Sequence, residues 1–470
     1  MLPPPLPPDL FDSLPPAVRA YIRALEAYAA HLESRVATLE ARVAELEAKL
    51  GANSTNSSRP PSSDGPHVKP APPKPKSGKK RGGQPGHPKH DRVLLPPDAT
   101  VECKPELCDR CCAPLCGDDP DPLVDQVIHL PEKLRHVVHY RRHRLSCPRC
   151  QRVVTAPRAP GTAGGFGPSI AAATAYFSGF GRLGKRAIRS IFGDLFGIPM
   201  ALGSVSKLEA KVSAALAPIH TEALESSRGQ NANVDETGFK QGRSKSWLWV
   251  AVSAWLTVFL IRSKRDRPAF DDLIGPKPGI LTTDRYGVYS HLDPGKRQLC
   301  WAHLRRDFQA MIDRKNSGSD IGVSLLDHAD ILFRHWKRVR AKKKSRAGFR
   351  KNELPWLRRE VRSHLERGVG CGCAKTATTC AELLKFEASL WTFARTEGIE
   401  PTNNAAERAI RHAVCWRKTS GGVDSEGGSR FVERILTVVA SCRRQSRSVL
   451  VFLTRALDPA QKTTLLMQPA

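Results

Sequence analysis

Residues 231–264, NANVDETGFKQGRSKSWLWVAVSAWLTVFLIRSK, decide the fold class of the chain. Tryptophan, valine, phenylalanine and threonine, which favour strands, are frequent in its apolar run 247–261. That run holds 15 residues, fewer than the roughly 20 that a membrane-spanning helix needs, so we predict two buried strands in it. NANVDETGF before the run predicts another strand, and PAFDDLIG (268–275) after it predicts a helix. Strands and a helix in this order indicate an α/β arrangement.

Two aspartates stand where predicted strands end. Asp235 follows the strand NANV, and Asp284 ends the strand GILTT (279–283). Open α/β sheets place their functional groups at such points, where an apolar strand gives way to a polar loop. Glu236 adjoins Asp235, but neighbouring residues on a strand point to opposite faces, so only one of the two is expected in a site. The ordinary alternative for each aspartate is a role in forming a turn.

Glu407 is the third carboxylate of interest. It lies on a predicted helix whose start is signalled by Pro401, Thr402 and Asn403. Three carboxylates brought together repel one another unless a cation neutralises them. Mg²⁺, or Mn²⁺ in its place, prefers oxygen ligands, and a pair of such ions is suited to phosphodiester chemistry. The alternative for Glu407 is a solvent-exposed ion pair with Arg411, one helical turn later.

The composition predicts a multidomain chain that binds a polyanion. Its 470 residues exceed what one hydrophobic core usually serves. There are 74 Lys and Arg against 46 Asp and Glu, a formal net charge of +28, which attracts nucleic acid. An anionic membrane surface fits less well, because the basic residues are spread along the chain. Residues 1–16 have no basic segment followed by an apolar one, so we expect a cytoplasmic protein.

The segment 25–50 carries a heptad pattern. Its d positions are Leu25, Leu32, Leu39 and Leu46, and its a positions are Ala29, Val36, Val43 and Leu50. Glutamates fill the e positions and basic residues fill most g positions, which favours a parallel two-stranded coiled coil. The alternative is one amphipathic helix packed on its own protein. Residues 51–92, rich in Pro, Ser, Gly and Lys, predict a disordered basic linker, either an arm that lies on phosphates or a solubilising spacer.

Seven of the cysteines lie within residues 93–160. Four of them form two Cys-x-x-Cys pairs, Cys108 with Cys111 and Cys147 with Cys150. This spacing brings both sulfurs of a pair to one side of a tight turn, and two pairs hold Zn²⁺ tetrahedrally in a closed structural site. The intervening segment 125–146 is expected to form two strands that close the site. Cys112 is an alternative ligand to Cys111, and unrelated buried thiols are the alternative to a metal site.

Two further segments have helical patterns. Residues 182–219 predict a helix, a Gly-Ile-Pro turn and a second helix capped by Ser204 or Ser206. This pattern is typical both of a DNA-binding helix-turn-helix and of an ordinary helical hairpin. Residues 313–397 predict long, strongly basic helices.

Several sequence blocks stand in a distinctive order along the chain. They are NSTNSSRPPSSD (53–64), the two cysteine pairs, VDETGFK (234–240), LTTDRYGVYSHL (281–292), QLCWAHLRRDF (298–308) and PTNNAAERAIR (401–411). In this combination the chain resembles the transposases of the Insertion Sequence 66 family, and the similarity continues to ERILTVVASCRRQSRSVLVFL (433–453). Two features depart from the family pattern. CDRCCAPLC (108–116) leaves the ligand assignment open, and we assign no family counterpart to CGCAKTATTC (371–380).

The resemblance implies a multidomain α+β protein. It would have an N-terminal coiled coil, a zinc-binding domain, and a ribonuclease-H-like α/β catalytic core interrupted by a helical insertion. The implied DDE triad falls on Asp235, Asp284 and Glu407, which would hold two Mg²⁺ or Mn²⁺ ions, and the structural Zn²⁺ falls on Cys108, Cys111, Cys147 and Cys150. The expected divisions are a Pro-rich start and coiled coil (1–50), a basic linker (51–92), a zinc-binding domain (93–160), a helical region (161–229), the first part of the core (230–312), the insertion (313–398) and the Glu-bearing part of the core (399–470).

The activity implied by the resemblance is bacterial DNA transposition. The protein, associated with the nucleoid, would bind the terminal repeats of its element, cleave a strand and join the freed end to target DNA. A homodimer or larger assembly through the coiled coil, and small accessory proteins of the same element, are the expected partners. Five residues are predicted to contact DNA phosphates: His303, Arg305, Arg306, Arg408 and Arg411. The rivals are an inactive DNA-binding regulator derived from such an element and a metal-dependent nuclease that does not join ends.

Overall fold

The computed structural model describes residues 7–53, 57–58, 94–128, 130, 134–158, 165–458, 461 and 463–465, without the side chains of residues 9, 48 and 49. Within these residues the chain forms two compact units. The first unit contains 7–53, 57–58, 223–240 and 244–415, and the second contains the other described residues. The predicted disordered linker lies almost wholly outside the described residues.

The elements follow the chain in this order. The strands are β1 Arg144–Ser146, β2 Val153–Thr155, β3 Ala232–Gln241, β4 Ser244–Val252, β5 Thr257–Arg262, β6 Leu281–Thr283 and β7 Arg297–Leu299. The helices before β3 are α1 Pro8–Asp12, α2 Pro16–Gly51, α3 Pro168–Gly179, α4 Lys185–Asp194 and α5 Leu202–Ser227. Those after β5 are α6 Arg267–Ile274, α7 Trp301–Asp313, α8 Ser319–Arg340, α9 Arg346–Asn352, α10 Leu354–Val369, α11 Ala374–Lys385, α12 Glu387–Leu390, α13 Thr392–Arg395, α14 Asn404–Ser420, α15 Glu426–Arg444 and α16 Val449–Ala456.

The heptad segment forms the long helix α2. Proline begins this helix, where its missing N–H group has no helical partner to lose. The large apolar residues at the heptad positions are exposed, from 41% for Leu32 to 84% for Leu50. The described part of this chain therefore does not bury the apolar stripe of α2, as a helix packed on its own protein would require.

A mixed five-stranded sheet lies at the centre of the first unit, in the order β5-β4-β3-β6-β7. β4 and β5, the two strands predicted in the apolar run, pair antiparallel, with Leu248 opposite Ile261. β3 pairs parallel with β6, and β6 pairs parallel with β7. The sheet is packed with helices, which agrees with a ribonuclease-H-like core.

The predicted helix between β5 and β6 is α6. Asp266 caps its start by accepting a hydrogen bond from the backbone N–H of Ala269. Gly275 ends it with a φ of +76°, a conformation that glycine adopts without strain. α6 buries Phe270 and Leu273 and packs on β4 and β5. It is the crossover that returns the chain to β6 beside β3.

Helices α7 to α13 fill the chain between β7 and α14 and share one apolar core. In this core the ring of Trp336 stands edge-on to Phe393, with centroids 4.7 Å apart, and 5.6 Å from Phe349. Trp301, at the start of α7, donates its Nε1–H to the carbonyl of Leu390 over 2.8 Å. Helices are thus present where the sequence predicts a basic helical segment.

The second unit contains α3, α4, α15 and α16, which pack on one another. The turn between α4 and α5 includes Gly197 at a φ of +59°, as the Gly-Ile-Pro pattern predicts. The predicted cap of α5 is wrong, because the helix begins at Leu202 and the N–H of Ser204 already bonds to the carbonyl of Ala201. Both Ser204 and Ser206 therefore lie inside the helix.

The prediction of two strands over 125–146 is also wrong. In the described part of that segment only β1 is a strand, and it pairs antiparallel with β2, on the far side of the second cysteine pair. A short hairpin across the cysteine turn satisfies the backbone locally, so β1 finds its partner downstream. Among the described residues no helix combines the length and the apolar character needed to cross a membrane.

Candidate active site

Parallel pairing of β3 with β6 brings two aspartates together. Asn233 pairs with Thr282 in this register. Two residues further along, the same register sets Asp235 beside Asp284, just past the end of β6. Neighbouring strands lie about 4.8 Å apart, so the two carboxylates are close neighbours.

The backbone at Asp284 is fixed from two sides. Its Oδ1 accepts the backbone N–H of Tyr286 over 2.9 Å, and its carbonyl accepts Nη2 of Arg297 over 2.7 Å. Arg297 is buried and also donates to the hydroxyl of Thr283 over 3.0 Å. Burial lowers the pKa of Arg297 to about 10, so it stays charged at neutral pH. The strand end that carries Asp284 is therefore held by a buried cation.

Asn403 ties the start of α14 to the sheet. Its Nδ2 donates to the carbonyl of Val234, the residue before Asp235, over 2.7 Å. Its backbone N–H donates to Sγ of Cys300 over 3.1 Å. Glu407 follows in the first turn of α14, and its own N–H bonds to the carbonyl of Asn403. This anchor brings Glu407 to the same sheet edge as the two aspartates.

Charge repulsion links the three carboxylates. Burial raises the pKa of Asp235 well above its ordinary value, and the negative charges of Glu236, Asp284 and Glu407 raise it further. The backbone N–H of Glu236, which donates to Oδ1 of Asp235 over 2.9 Å, opposes this shift only in part. Asp284 and Glu407 therefore both lie close enough to Asp235 for their charges to act on its carboxyl group.

Glu407 has basic neighbours on α7. Its Oε1 lies 3.4 Å from Nδ1 of His303 and 3.6 Å from Nη2 of Arg306. Burial, with the nearby charge of Arg306, lowers the pKa of His303, so its imidazole is neutral at neutral pH. Within the described residues no ion pair joins Glu407 to Arg411, the partner that local sequence would favour.

The donor atoms here fit a cation. Oε1 of Glu407 and Nδ1 of His303 are buried and make no hydrogen bond within the described part of the chain. One ligand atom from each of Glu407, His303 and Cys300 lies within 4.8 Å of the other two. Burial raises the pKa of Cys300 to about 11, so its sulfur stays a thiol, whereas carboxylate oxygens are the ligands that Mg²⁺ and Mn²⁺ prefer. The carboxylates are the natural metal-binding groups, and Cys300 acts by holding Asn403.

The carboxylate of Glu236 contacts other residues than the carboxylate of Asp235 does. Its carboxylate accepts Nε of Arg265 over 2.9 Å and pairs closely with the Tyr289 hydroxyl. Burial raises the pKa of Glu236, and the charge of Asp284 raises it further. As predicted for adjacent residues on a strand, Asp235 and Glu236 have separate partners.

The predicted phosphate-contacting residues fall into three groups. His303 and Arg306 face Glu407. Arg305 instead pairs with Asp330 of α8 over 2.6 Å, so it is engaged away from the carboxylates. Arg408 and Arg411 are exposed on α14.

The two Cys-x-x-Cys pairs form matching turns. In the first, the N–H of Cys112 bonds to the carbonyl of Cys108 over 2.9 Å, and in the second the N–H of Gln151 bonds to the carbonyl of Cys147 over 2.8 Å. Cys112 and Gln151 both have a φ of +58°. Cys112 is thus the counterpart of Gln151, which leaves Cys111 as the counterpart of Cys150.

Backbone amides make the first cysteine of each turn more acidic. The N–H groups of Arg110 and then Cys111 lower the pKa of Cys108, and those of Cys150 and then Arg149 lower the pKa of Cys147. Amide hydrogen bonds to sulfur stabilise the thiolate, the form that binds zinc. Among the described residues, however, no group of three or more gathered metal-ligating atoms includes any of these cysteines. The turns are formed singly, without a four-sulfur centre.

CGCAKTATTC forms the start of α11. Cys373 precedes the helix, and hydrogen bonds from the side chain and then the backbone of Thr376 lower its pKa to about 7. Cys380 is buried, which raises its pKa to about 11. Of the three cysteines in this segment, Cys373 is thus an acidic thiol and Cys380 a buried, weakly acidic one.

Three residues at the site were not recognised as functional candidates from the sequence. They are the anchor Asn403, its partner Cys300 and the buried strand-end cation Arg297. Asn403 could be noted only as a helix-start signal, because its partner Val234 is 169 residues away in the chain. A buried arginine has no sequence signal that separates it from the many exposed ones.

Comparison with known proteins gives two family matches. The model of the family described as Transposase IS66 family matches residues 164–430. The model of a family of unknown function (DUF6444) matches residues 7–93.

Two proteins of Sinorhizobium fredii (strain NBRC 101917 / NGR234) are similar to this chain. Uncharacterized protein y4qI is 27% identical over 237 residues, which cover 46% of this chain and 43% of that protein. Uncharacterized protein y4hP is 23% identical over 390 residues, which cover 75% of this chain and 69% of that protein. The chain thus spans less than half the length of the first relative.

Proposed function

Because the chain belongs to the IS66 family of DDE transposases, we propose that it mobilises an insertion sequence. In this proposal it binds the ends of that element, cleaves a DNA strand there and joins the freed 3′ end to target DNA. The two relatives carry no described activity, so the proposal depends on the family and on the geometry of this chain.

The observation that carries the proposal is the meeting of Asp235, Asp284 and Glu407. They come from β3, from the end of β6 and from the first turn of α14. Burial, and then the charges of Glu236, Asp284 and Glu407, raise the pKa of Asp235, and a bound cation would relieve this repulsion. An ordinary surface glutamate would instead pair with the arginine one turn along its helix.

Asp235, Asp284 and Glu407 would together hold two Mg²⁺ or Mn²⁺ ions. When bound, such ions supply Lewis-acid stabilisation of the attacking and leaving oxygens of a phosphodiester. The chain itself fixes the ligands: Asn403 and Cys300 hold the start of α14, and Arg297 holds the end of β6. The neutral imidazole of His303 lies 3.4 Å from the carboxylate of Glu407, where it does not compete with the metal ions as a cation.

DNA phosphates would approach the basic groups around Glu407. Arg306 lies against its carboxylate, and Arg408 and Arg411 are exposed on α14. Arginine suits this role because its planar guanidinium can donate two parallel hydrogen bonds to a phosphate. Arg305 would have to leave Asp330 to take part, so we expect it to contribute less to binding.

The other parts of the chain would serve assembly. The exposed heptad residues of α2 would pair with those of a second copy, so that one complex holds two element ends. The two cysteine turns would close around Zn²⁺ through Cys108, Cys111, Cys147 and Cys150. Small accessory proteins of the same element remain proposed partners.

The test is a joining assay with linear DNA that carries the element ends, target DNA, and Mg²⁺ or Mn²⁺. Asp235→Asn, Asp284→Asn and Glu407→Gln are each expected to abolish both cleavage and joining while retaining DNA binding. Glu366→Gln is the matched control, because Glu366 is an exposed glutamate that pairs with Arg362 of its own helix.

The products separate the proposal from its rivals. Joined products that vanish in all three triad variants support transposition. Cleavage without joining by the wild-type protein indicates a nuclease, and end-specific binding without any cleavage indicates a regulator. Wild-type cleavage and joining by Glu407→Gln would show that Glu407 is not the third carboxylate.

A further inference from the structure

A second group of metal-ligating side chains lies in the helical segment, away from the three carboxylates. His328 is on α8, and Glu360 and His364 are on α10, four residues apart and so on one face of that helix. Each of the three offers one ligand atom within 4.8 Å of those of the other two. α8 and α10 pack directly on each other, so the group bridges two neighbouring helices.

The hydrogen bond of His328 determines which of its two ring nitrogens has a lone pair for a metal ion. Its Nδ1 lies 2.6 Å from the carbonyl oxygen of Ser324. A carbonyl can only accept, so Nδ1 carries the proton and Nε2 carries the lone pair. Histidine ligands in metal sites are commonly held in this way, with the far nitrogen bonded to a backbone carbonyl. The ring is also fixed by Trp356 and by His364, with centroids 5.6 and 5.0 Å away.

Among the described residues, the hydrogen-bond partners of Glu360 and His364 are weakly held. Glu360 accepts Nε of Arg359 over 3.1 Å, in an ion pair whose arginine is 70% exposed. Nη1 of Arg367, also an exposed residue, lies 3.4 Å from Nδ1 of His364. Exposed ion pairs and long hydrogen bonds of this kind are easily displaced. A cation that enters the group therefore meets little competition from the protein.

Packing of the two helices does not depend on this polar group. Buried apolar residues line the contact, namely Leu325, Ala329 and Leu332 on α8 and Leu357, Val361 and Leu365 on α10. His328, Glu360 and His364 are only half-buried and lie beside that core. Substitution of these three residues is thus expected to leave the fold intact.

We propose that His328, Glu360 and His364 bind one divalent transition-metal ion of the Zn²⁺ class, clipping α8 to α10. Two imidazoles and one carboxylate are a ligand set that suits Zn²⁺, Co²⁺ and Ni²⁺ better than Mg²⁺. Three protein ligands leave one tetrahedral position for water or for another group. The proposal does not depend on transposition, because none of these residues contacts the three carboxylates.

The experiment measures Zn²⁺ binding to the full chain after removal of metal with EDTA and dialysis. Bound zinc is counted by atomic emission, and affinity is measured by calorimetric titration, for the wild type and for His364→Ala and Glu360→Gln. Each variant is expected to bind one equivalent less than the wild type, or to bind it on the order of tenfold or more weakly. The matched control is His291→Ala, since Nδ1 of His291 also lies 2.8 Å from a backbone carbonyl but His291 belongs to no ligand group in the described residues.

Arg367→Ala is expected to change zinc affinity in the opposite direction. It removes a positive charge beside His364 while keeping all three ligands, so zinc affinity at this site should increase. This readout remains valid even if His364→Ala fails to fold. The cysteine pairs also bind zinc if that separate proposal holds, so Cys147→Ser should lose zinc independently of Glu360→Gln. Equal zinc content and affinity in the wild type, Glu360→Gln and His364→Ala, with no gain in Arg367→Ala, would overturn the proposal.

Discussion

Replacing Asp235 by asparagine should stabilise the metal-free protein while destroying its activity. Asparagine has nearly the shape of aspartate, and its Oδ1 can still accept the N–H of Glu236, which donates over 2.9 Å. The substitution removes a negative charge that partial burial and the neighbouring Glu236, Asp284 and Glu407 all disfavour. In the absence of metal, the Asp235→Asn variant therefore has less charge repulsion among its carboxylates than the wild type.

The strand geometry sets the size of this effect. Two unit charges about 4.8 Å apart, the spacing of neighbouring strands, repel by about 3.5 kcal/mol at an effective dielectric constant of 20. Solvent and nearby cations reduce this value, so we expect Asp235→Asn to gain about 1–3 kcal/mol. For a unit of this size the melting temperature should rise by roughly 2–12 °C.

The pH dependence follows from the direction of the pKa shift. The folded-state pKa of Asp235 is raised above its ordinary 3.8. Below pH 3.8 the carboxyl is protonated in both folded and unfolded chains, and the variant gains nothing. As the pH rises through the raised pKa, the wild type loses stability that the variant keeps. The difference between the two should therefore grow with pH and then level off.

The assay is thermal melting of both proteins at one scan rate, first in EDTA and then in Mg²⁺. Asp327→Asn is the control, because Asp327 is exposed on α8 and should not alter the melting temperature. Mg²⁺ at 100 times its dissociation constant should stabilise the wild type by about 2.7 kcal/mol and the variant much less. An unchanged or lower melting temperature for Asp235→Asn in EDTA would refute the reasoning.

Three further outcomes are expected. Asn403→Ala should lower stability by about 1–3 kcal/mol, because it leaves the buried carbonyl of Val234 without its donor. It should also lower strand joining, and Asn403→Asp should restore neither the stability nor the joining. Melting and joining assays measure these two effects. Cys111→Ser should reduce bound zinc in a metal assay, whereas Cys112→Ser should not, because Cys112 matches the non-cysteine position of the second turn. Alkylation of Cys373 by iodoacetamide, followed by peptide mass spectrometry, should accelerate as the pH rises through about 7, its lowered pKa; a midpoint near 9 would contradict the proposed hydrogen bonds to its sulfur.

The elements of the sheet could be predicted from sequence because their signals are local. The apolar run around Trp249 is too short for a membrane span and rich in strand-forming residues, and it became β4 and β5. The helix after it carries its own start and stop in Asp266 and Gly275. These features need only the residues within one or two turns.

The site could be predicted only in part, because its assembly is not local. Asp235 and Asp284 each stand at a strand end, but which strands pair is decided by the whole sheet. The tie from Asn403 to the strand of Asp235 crosses 169 residues and leaves no periodic trace. The local pattern around Glu407 even favours a different partner, Arg411, which the folded chain does not use. Strand pairing over 125–146 failed for the same reason, since the true partner of β1 lies downstream.

The backbone N–H of Trp301 donates a hydrogen bond to the carbonyl of Pro401 over 2.9 Å, and this bond affects how the chain can change over evolution. Beside it, the hydrogen bond from Asn403 to Cys300 joins residues that are 103 positions apart in the chain. Helices α7 to α13 therefore leave the sheet and return to it at one point. Lengthening such a closed excursion costs little, about 0.6 kcal/mol for each doubling of a flexible loop. The helical segment can therefore grow, shrink or acquire new ligands without moving Glu407, and any surface that it presents can diverge independently of the carboxylates that it separates in sequence.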